Sequence, residues 1–91
     1  MEKFQDDVYG SNFFPTLHTV QAAVFTEEEN ARMLKERLNT RFGVVSIIPF
    51  ETNMARFYRV QVGTYSSEDH AEQAARKLTL EGLEPVVVRK D

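Results

Sequence analysis

One pattern, written twice, constrains this chain more than any other. His18 to Leu38 lies over Tyr58 to Leu78 without a gap, at a shift of 40 residues (58 − 18 = 40). Val20-Gln21 falls on Val60-Gln61, Phe25 on Tyr65, Thr26 on Ser66, Glu28 on Glu68, Ala31 on Ala71 and Leu38 on Leu78. A repeat of this length can mean a solenoid, but a solenoid needs three or more copies to bury a continuous core. Two copies within 91 residues point instead to two halves of one small domain.

Each copy reads as strand, cap and helix. In the second, Phe57 to Tyr65 alternates at period two, the mark of a half-buried strand. Tyr58, Val60 and Val62 fall on one side, and Phe57, Arg59, Gln61 and Gly63 on the other. Ser66 is the expected N-cap of the following helix, with Asp69 at its third position. That helix carries Ala71, Ala74, Ala75 and Leu78 on one stripe and ends near Gly82. In the first copy, Val20, Ala22 and Val24 form the expected core side of a strand over His18 to Phe25. Thr19, Gln21 and Ala23 face the other way. Thr26 and Glu29 read as a capping box. Ala31, Leu34 and Leu38 make the apolar stripe of a helix that Gly43 closes. Val44 to Phe50 is a β-branched strand whose Pro49 suits a sheet edge, and Pro85 to Val88 is the last strand. Residues 1–16 show no period. They read as a linker or irregular lead-in, with Phe4, Tyr9, Phe13 and Phe14 as aromatic surface able to fold back on a domain spanning 17–91.

The element order is therefore βαββαβ, an α+β two-layer sandwich of the ferredoxin-like type. It has a four-stranded antiparallel sheet with two helices on one face. The first and third strands are expected as central neighbours. A chain of this size buries only ~60–65% of its unfolded surface, so no layer remains for the second face of the sheet. That face presents Gln21, Ala23, Phe57, Arg59, Gln61 and Gly63, a shallow groove able to stack and to hydrogen-bond. An antiparallel sheet often has one merely solvated face. An exposed Phe57 beside Arg59, with a glutamine from each central strand, favours the groove. The sequence leaves the register of the second strand open, and with it whether Ile48 or Phe50 walls the groove.

Composition narrows the chemistry. With no cysteine, disulfides, thiolate metal sites and a cysteine nucleophile are excluded. His18 and His70 have no neighbours at ligand spacing, so no metal is expected. Ser66 and Ser67 lack a partner base, the acidic run Glu27 to Glu29 splays around a helix, and there is no phosphate loop or nucleophile elbow. No catalytic residue and no cofactor are expected. No apolar run approaches the ~20 residues needed to cross a bilayer, so no membrane insertion is expected. No signal segment opens the chain, which would make it a fragment if the parent protein is exported. A net charge of −3 argues against a nucleic-acid partner, which would select a basic face. RNA-recognition domains share this strand order and stack bases on central-strand aromatics, but Arg56 to Val62 does not supply their third-strand signature. Small-molecule regulatory domains of the same order remain a second alternative.

The doubled Val-Gln strand, followed by an aromatic, Ser or Thr and an alanine-rich helix, resembles the SPOR (sporulation-related repeat) domain over about residues 17–90. Within that family, Arg41 to Val60 is most similar to the C-terminal domain of rare lipoprotein A-type septal lytic transglycosylases. The resemblance implies a monomeric peptidoglycan-binding module of the bacterial cell envelope. It would bind glycan strands denuded of their stem peptides and target its parent to the division septum. The family's binding residues land on Gln21, Phe57 and Arg59, with Phe57 where some members carry Trp. Ala23 and Val24 stand where the first strand commonly has Gly and Ser, so the serine's contact is lost or reassigned, and Val24 is read as core.

Overall fold

The computed structural model describes residues 16–90. The aromatic lead-in from Phe4 to Phe14 lies outside the described residues. Six elements follow in order: β1 (Leu17–Phe25), α1 (Glu28–Phe42), β2 (Val45–Glu51), β3 (Arg56–Tyr65), α2 (Glu68–Thr79) and β4 (Val86–Lys90). The four strands form one sheet in the order β2-β3-β1-β4, with every neighbouring pair antiparallel. β1 and β3 are thus the central strands, and each split βαβ half is completed by a strand of the other. Pro49 lies on β2, an edge strand, where its missing N–H costs least.

The pairing reproduces the repeat. His18 pairs with Tyr65 and Phe25 with Tyr58, so moving each residue by 40 exchanges one pair for the other. Gln21 pairs with Gln61, and the same shift maps this pair onto itself. The two glutamines therefore sit where the halves meet.

Both helices pack on one face of the sheet. Val20, Val60, Val62, Leu38 and Leu78 are fully buried there, with Ala31 and Ala71 beneath them. Each buried Val or Leu contributes about 1.5–3 kcal/mol of transfer free energy. Small alanines at helical spacing let both helices sit close to the strands. Glu81, after α2, binds α1 in return: it forms ion pairs with Arg37 and Arg41, and Arg37 Nη2 donates to its carbonyl at 2.9 Å.

Three details of the ends differ from the sequence reading. Glu27, not Thr26, precedes α1, and no side chain caps it; Glu29 turns to Arg32 instead. Ser67, not Ser66, caps α2, its Oγ accepting from the N–H groups of Asp69 and His70. The last strand runs Val86–Lys90 and carries the basic pair Arg89-Lys90 into the sheet.

Two bulges matter more. Between Gln21 and Ala23 the β1 register slips by one residue against β3. Beyond the slip Ala23 pairs with Val60 and packs on the core, while Val24 pairs with Arg59 and is 44% exposed. The expectation for both residues is therefore reversed: Val24 is not core, and Ala23 is not on the groove face. A second slip, between His18 and Val20, places the extra residue in β3 around Gly63. Gly63 has φ +71°, and a Cβ there would lie 2.5 Å from the Tyr65 hydroxyl, on the helix side. Gly63 is thus the residue that lets the strand bulge, and it does not floor the groove.

Candidate functional site

The sheet face away from the helices carries the candidate site. Its register is set by the β2–β3 connection. Thr52 donates its N–H to the Ala55 carbonyl at 2.9 Å, and its Oγ1 accepts from the N–H groups of Met54 and Ala55. This hydroxyl-closed turn leaves Glu51 opposite Arg56, and the two side chains form an ion pair at 2.6 Å. Counting back from the turn, Phe50 lies opposite Phe57, Ile48 opposite Arg59 and Ser46 opposite Gln61. The register left open by the sequence is thereby fixed: Ile48 and Phe50 both share the face of Phe57 and Arg59.

The rings of Phe50 and Phe57 stack with centroids 5.2 Å apart and planes 23° from parallel. The Arg59 guanidinium carbon lies 4.7 Å from the Phe50 ring centroid, a cation–π contact worth about 0.5–2 kcal/mol. This contact fixes the direction of a long side chain that would otherwise be free. Arg59 Nε is buried without a hydrogen-bond partner among the described residues. Gln61 follows Arg59 on the same face, and Gln21 pairs with it across the strand boundary. The structure thus brings Phe57, Arg59, Gln61 and Gln21 together and adds Phe50 and Ile48. Ala23 and Gly63 leave the set.

Thr19, assigned to this face by alternation, is closed to a ligand. It is 1% exposed, and its hydroxyl donates to the carbonyl oxygens of Val62 at 3.2 Å and Gly63 at 2.7 Å. It secures the β3 bulge from the neighbouring strand. Tyr65, on the other side of that bulge, is partly buried, which pushes its phenol above the usual value.

Beside the aromatic stack the face hollows into a cavity of about 250 Å³ lined by Ile48, Arg59, Gln61, Arg89 and Lys90. The last two come from β4, across β1. Lys90 Nζ donates to Thr64 Oγ1 at 2.7 Å, which holds it over the sheet. The sequence reading ended the last strand at Val88 and so did not place Arg89 and Lys90 in the sheet. Their signal was only a basic pair ending a strand.

Chemically, the site combines ring faces, amides and cationic donors. Among the described residues no group of His, Cys, Asp or Glu is placed to hold a metal ion, and no helix is long and apolar enough to cross a membrane.

The repeat, the strand order and the doubled Val-Gln strand agree with one family, and the model of the SPOR domain matches residues 15–89. This chain belongs to the SPOR domain family. Two solved structures share its fold. One is the crystal structure of the RlpA SPOR domain from Pseudomonas aeruginosa, with TM-score 0.71 and 24% identity over 81% of this chain and 99% of that one. The other is the solution structure of the peptidoglycan binding domain of the B. subtilis cell wall lytic enzyme CwlC, with TM-score 0.63 and 23% identity over the whole of both chains. Among curated proteins none matches the chain. As a SPOR domain it has the βαββαβ order and the single antiparallel sheet expected from its sequence.

Proposed function

We propose that this SPOR domain is a non-catalytic peptidoglycan-binding module. On this reading it takes glycan strands denuded of stem peptides on its open sheet face, and so carries its parent protein to the division septum in the bacterial cell envelope. Family membership and the printed function of the CwlC domain support the peptidoglycan part. The observation that carries the glycan part is the Phe50–Phe57 stack with Arg59 lying on it, beside the Gln61–Gln21 pair.

Each part of that surface suits a sugar chain. Pyranose rings offer C–H faces that lie on aromatic rings, which bury apolar area without demanding a polar partner. Hydroxyl and acetamido groups need fixed donors and acceptors, which planar amides and a guanidinium provide. Glycosidic hydrolysis requires two carboxylates flanking the bond, whereas this face offers rings, amides and cations. A targeting role for an enzyme elsewhere in the parent protein follows.

The experiment is co-sedimentation with purified sacculi, before and after amidase treatment, with single-stranded RNA as the competing ligand. Binding should rise after amidase treatment. Arg59→Ala and Gln21→Ala should each weaken it by about fivefold or more, since a lost buried hydrogen bond costs about 1 kcal/mol. Both variants should remain folded, because neither side chain is in the core. Tight, salt-sensitive RNA binding with no binding to walls would replace the glycan reading by nucleic-acid recognition.

A further inference from the structure

The repeat builds two hollows on the helix side of the sheet, and they are not alike. The first, of about 310 Å³, is lined by Phe25, Asn30, Met33, Leu34, Arg37 and Leu83. Moving the first five of these residues by 40 gives Tyr65, His70, Gln73, Ala74 and Lys77. All five line the second hollow, of about 440 Å³. Tyr for Phe, His for Asn and Gln for Met leave hydrogen-bonding groups around it, and Ala for Leu leaves it larger.

The charges change as well. In the first half Arg37 is matched by Glu81, with an ion pair at 3.7 Å and a bond from Arg37 Nη2 to the Glu81 carbonyl at 2.9 Å. Exchanging the halves maps Arg37 onto Lys77 and Glu81 onto Arg41 (81 − 40 = 41). Lys77 and Arg41 both line the second hollow, so two cations stand where the first half has a cation and a carboxylate. Glu81 reaches Arg41 through Nη1, which leaves the far side of the guanidinium to donate. Lys77 has no carboxylate within ion-pair distance among the described residues. None of the residues lining the second hollow is an acid. Two like charges facing one hollow repel each other, and an anion between them relieves that cost.

We infer that the second hollow is an anion site that takes the phosphate group of a phosphate ester. It lies on the helix side, away from the sheet face proposed for the glycan, and does not depend on that reading. The donors around it come from several directions: the Arg41 and Lys77 cations, the Tyr65 and Ser66 hydroxyls and the Gln73 amide. A carboxylate is served by one planar fork, whereas the oxygens of a phosphate point apart and accept from separated donors. Phe42 and Ala74 supply an apolar wall for the carbon part of the ester. The volume falls in the range of small-ligand sites.

The test titrates the 91-residue chain with glycerol 3-phosphate at constant ionic strength, read by amide NMR shifts. Wild type should show a saturable response centred on Ser66, His70, Gln73 and Lys77. Lys77→Gln should weaken it about tenfold, the range of one charge-assisted bond. Arg76→Gln, which removes the same charge from a neighbouring position outside the hollow, should leave it as in wild type. Ala74→Leu, which restores the residue of the first half, should abolish it; Ala74 is buried, so Lys77→Gln, on the surface, decides the matter if that variant does not fold. Lys77→Gln should bind purified sacculi as wild type does, which keeps this site separate from the glycan reading. Vesicles of phosphatidylglycerol distinguish the sources of the phosphate: pelleting of wild type but not of Lys77→Gln assigns it to a lipid headgroup, and a response to the soluble ester alone assigns it to a water-borne one. No saturable response to either overturns the site. So does an equal response to acetate, a response centred on Arg59 and Gln61, or equal weakening by Arg76→Gln. Asp6→Asn with Asp7→Asn gives the last control: if it shifts the same amides with no phosphate present, the chain's own acidic lead-in fills the hollow and the proposal fails.

Discussion

On the β3 side of the Gln21–Gln61 pair, the open face carries Phe57 and Arg59 with Phe50 and Ile48 beside them. At the positions 40 residues away, on the β1 side, stand Leu17, Thr19, Lys90 and Val88. The helix-facing positions diverge less: Val20 matches Val60, Ala31 matches Ala71 and Leu38 matches Leu78, all six fully buried, and where the halves differ, Ala22 against Val62 and Leu34 against Ala74, one apolar residue replaces another. Packing against the two helices keeps the inner side chains apolar, and a change of size on one of them must be taken up by its close-packed neighbours. The outer side chains carry no second layer against which both halves must pack. One half supplies a stacking platform, the other a threonine that braces the bulge and a lysine at the rim. A long ligand lying across such a face meets a different surface at each end, so the repeat builds a site with polarity.

The sharpest way to break this comparison is at the bulges. Gly63 and Ala23 are equivalent by the 40-residue shift, yet only Gly63 has positive φ and a Tyr65 ring where its Cβ would stand. Gly63→Ala should cost roughly 1–3 kcal/mol from backbone conformation, with the 2.5 Å contact driving it to the upper end. Ala23→Gly should cost about 1 kcal/mol or less. Urea melts at constant m-value measure both. Equal losses would mean that the two bulges are equivalent and that the asymmetry assigned to β3 is wrong.

The second comparison runs across the sheet. Val60→Ala removes two methyl groups from a site with no exposure and should cost roughly 1–3 kcal/mol. Val24→Ala, at 44% exposure, and Gln61→Ala should each stay within about 0.5 kcal/mol. A large loss at Val24 would place it back in the core and undo the β1 bulge.

That bulge also marks where the sequence stopped being legible. Strand order, the helix stripes and the Val-Gln core alternation could be read from periodicity, because burial repeats its own signature every two or every three to four residues. Ala22-Ala23 carries no such signature: two small apolar residues fit either face, so nothing local records the slip that turns Val24 outward. The placement of Phe50 depended on the Thr52 turn, which fixes β2 against β3 only once the hairpin closes. Arg89 and Lys90 were invisible as site residues because β4 reaches the cavity through pairing with β1, about 70 residues away in the chain (88 − 19 = 69 at the Thr19–Val88 pair). Phe57, Arg59, Gln61 and Gln21 could be placed on the open face because each lies in a regularly alternating run of a central strand that ends before a bulge, Phe57 to Val62 in β3 and Leu17 to Gln21 in β1.

The smallest expected effect separates the two helix starts. Thr26 and Ser66 are equivalent in the repeat, and each reads as a cap from sequence. In the structure the cap of α2 moves one residue on, to Ser67, whose hydroxyl oxygen accepts from Asp69 N at 3.1 Å and His70 N at 3.4 Å. The position before α1 is Glu27, with no side-chain cap bond. Ser67→Ala should therefore cost about 0.5–2 kcal/mol, the usual loss for a capping hydroxyl. Thr26→Ala and Ser66→Ala should each cost no more than a few tenths, as surface substitutions do. Ser67→Asp should retain most of the stability, since a carboxylate accepts the same N–H groups and complements the helix dipole. Amide exchange at Asp69 and His70 gives a second readout, because loss of the acceptor frees those N–H groups without unfolding the sheet. If Ser66→Ala instead lowers the midpoint while Ser67→Ala does not, α2 begins one residue earlier than described, and the two halves are closer copies than their caps indicate.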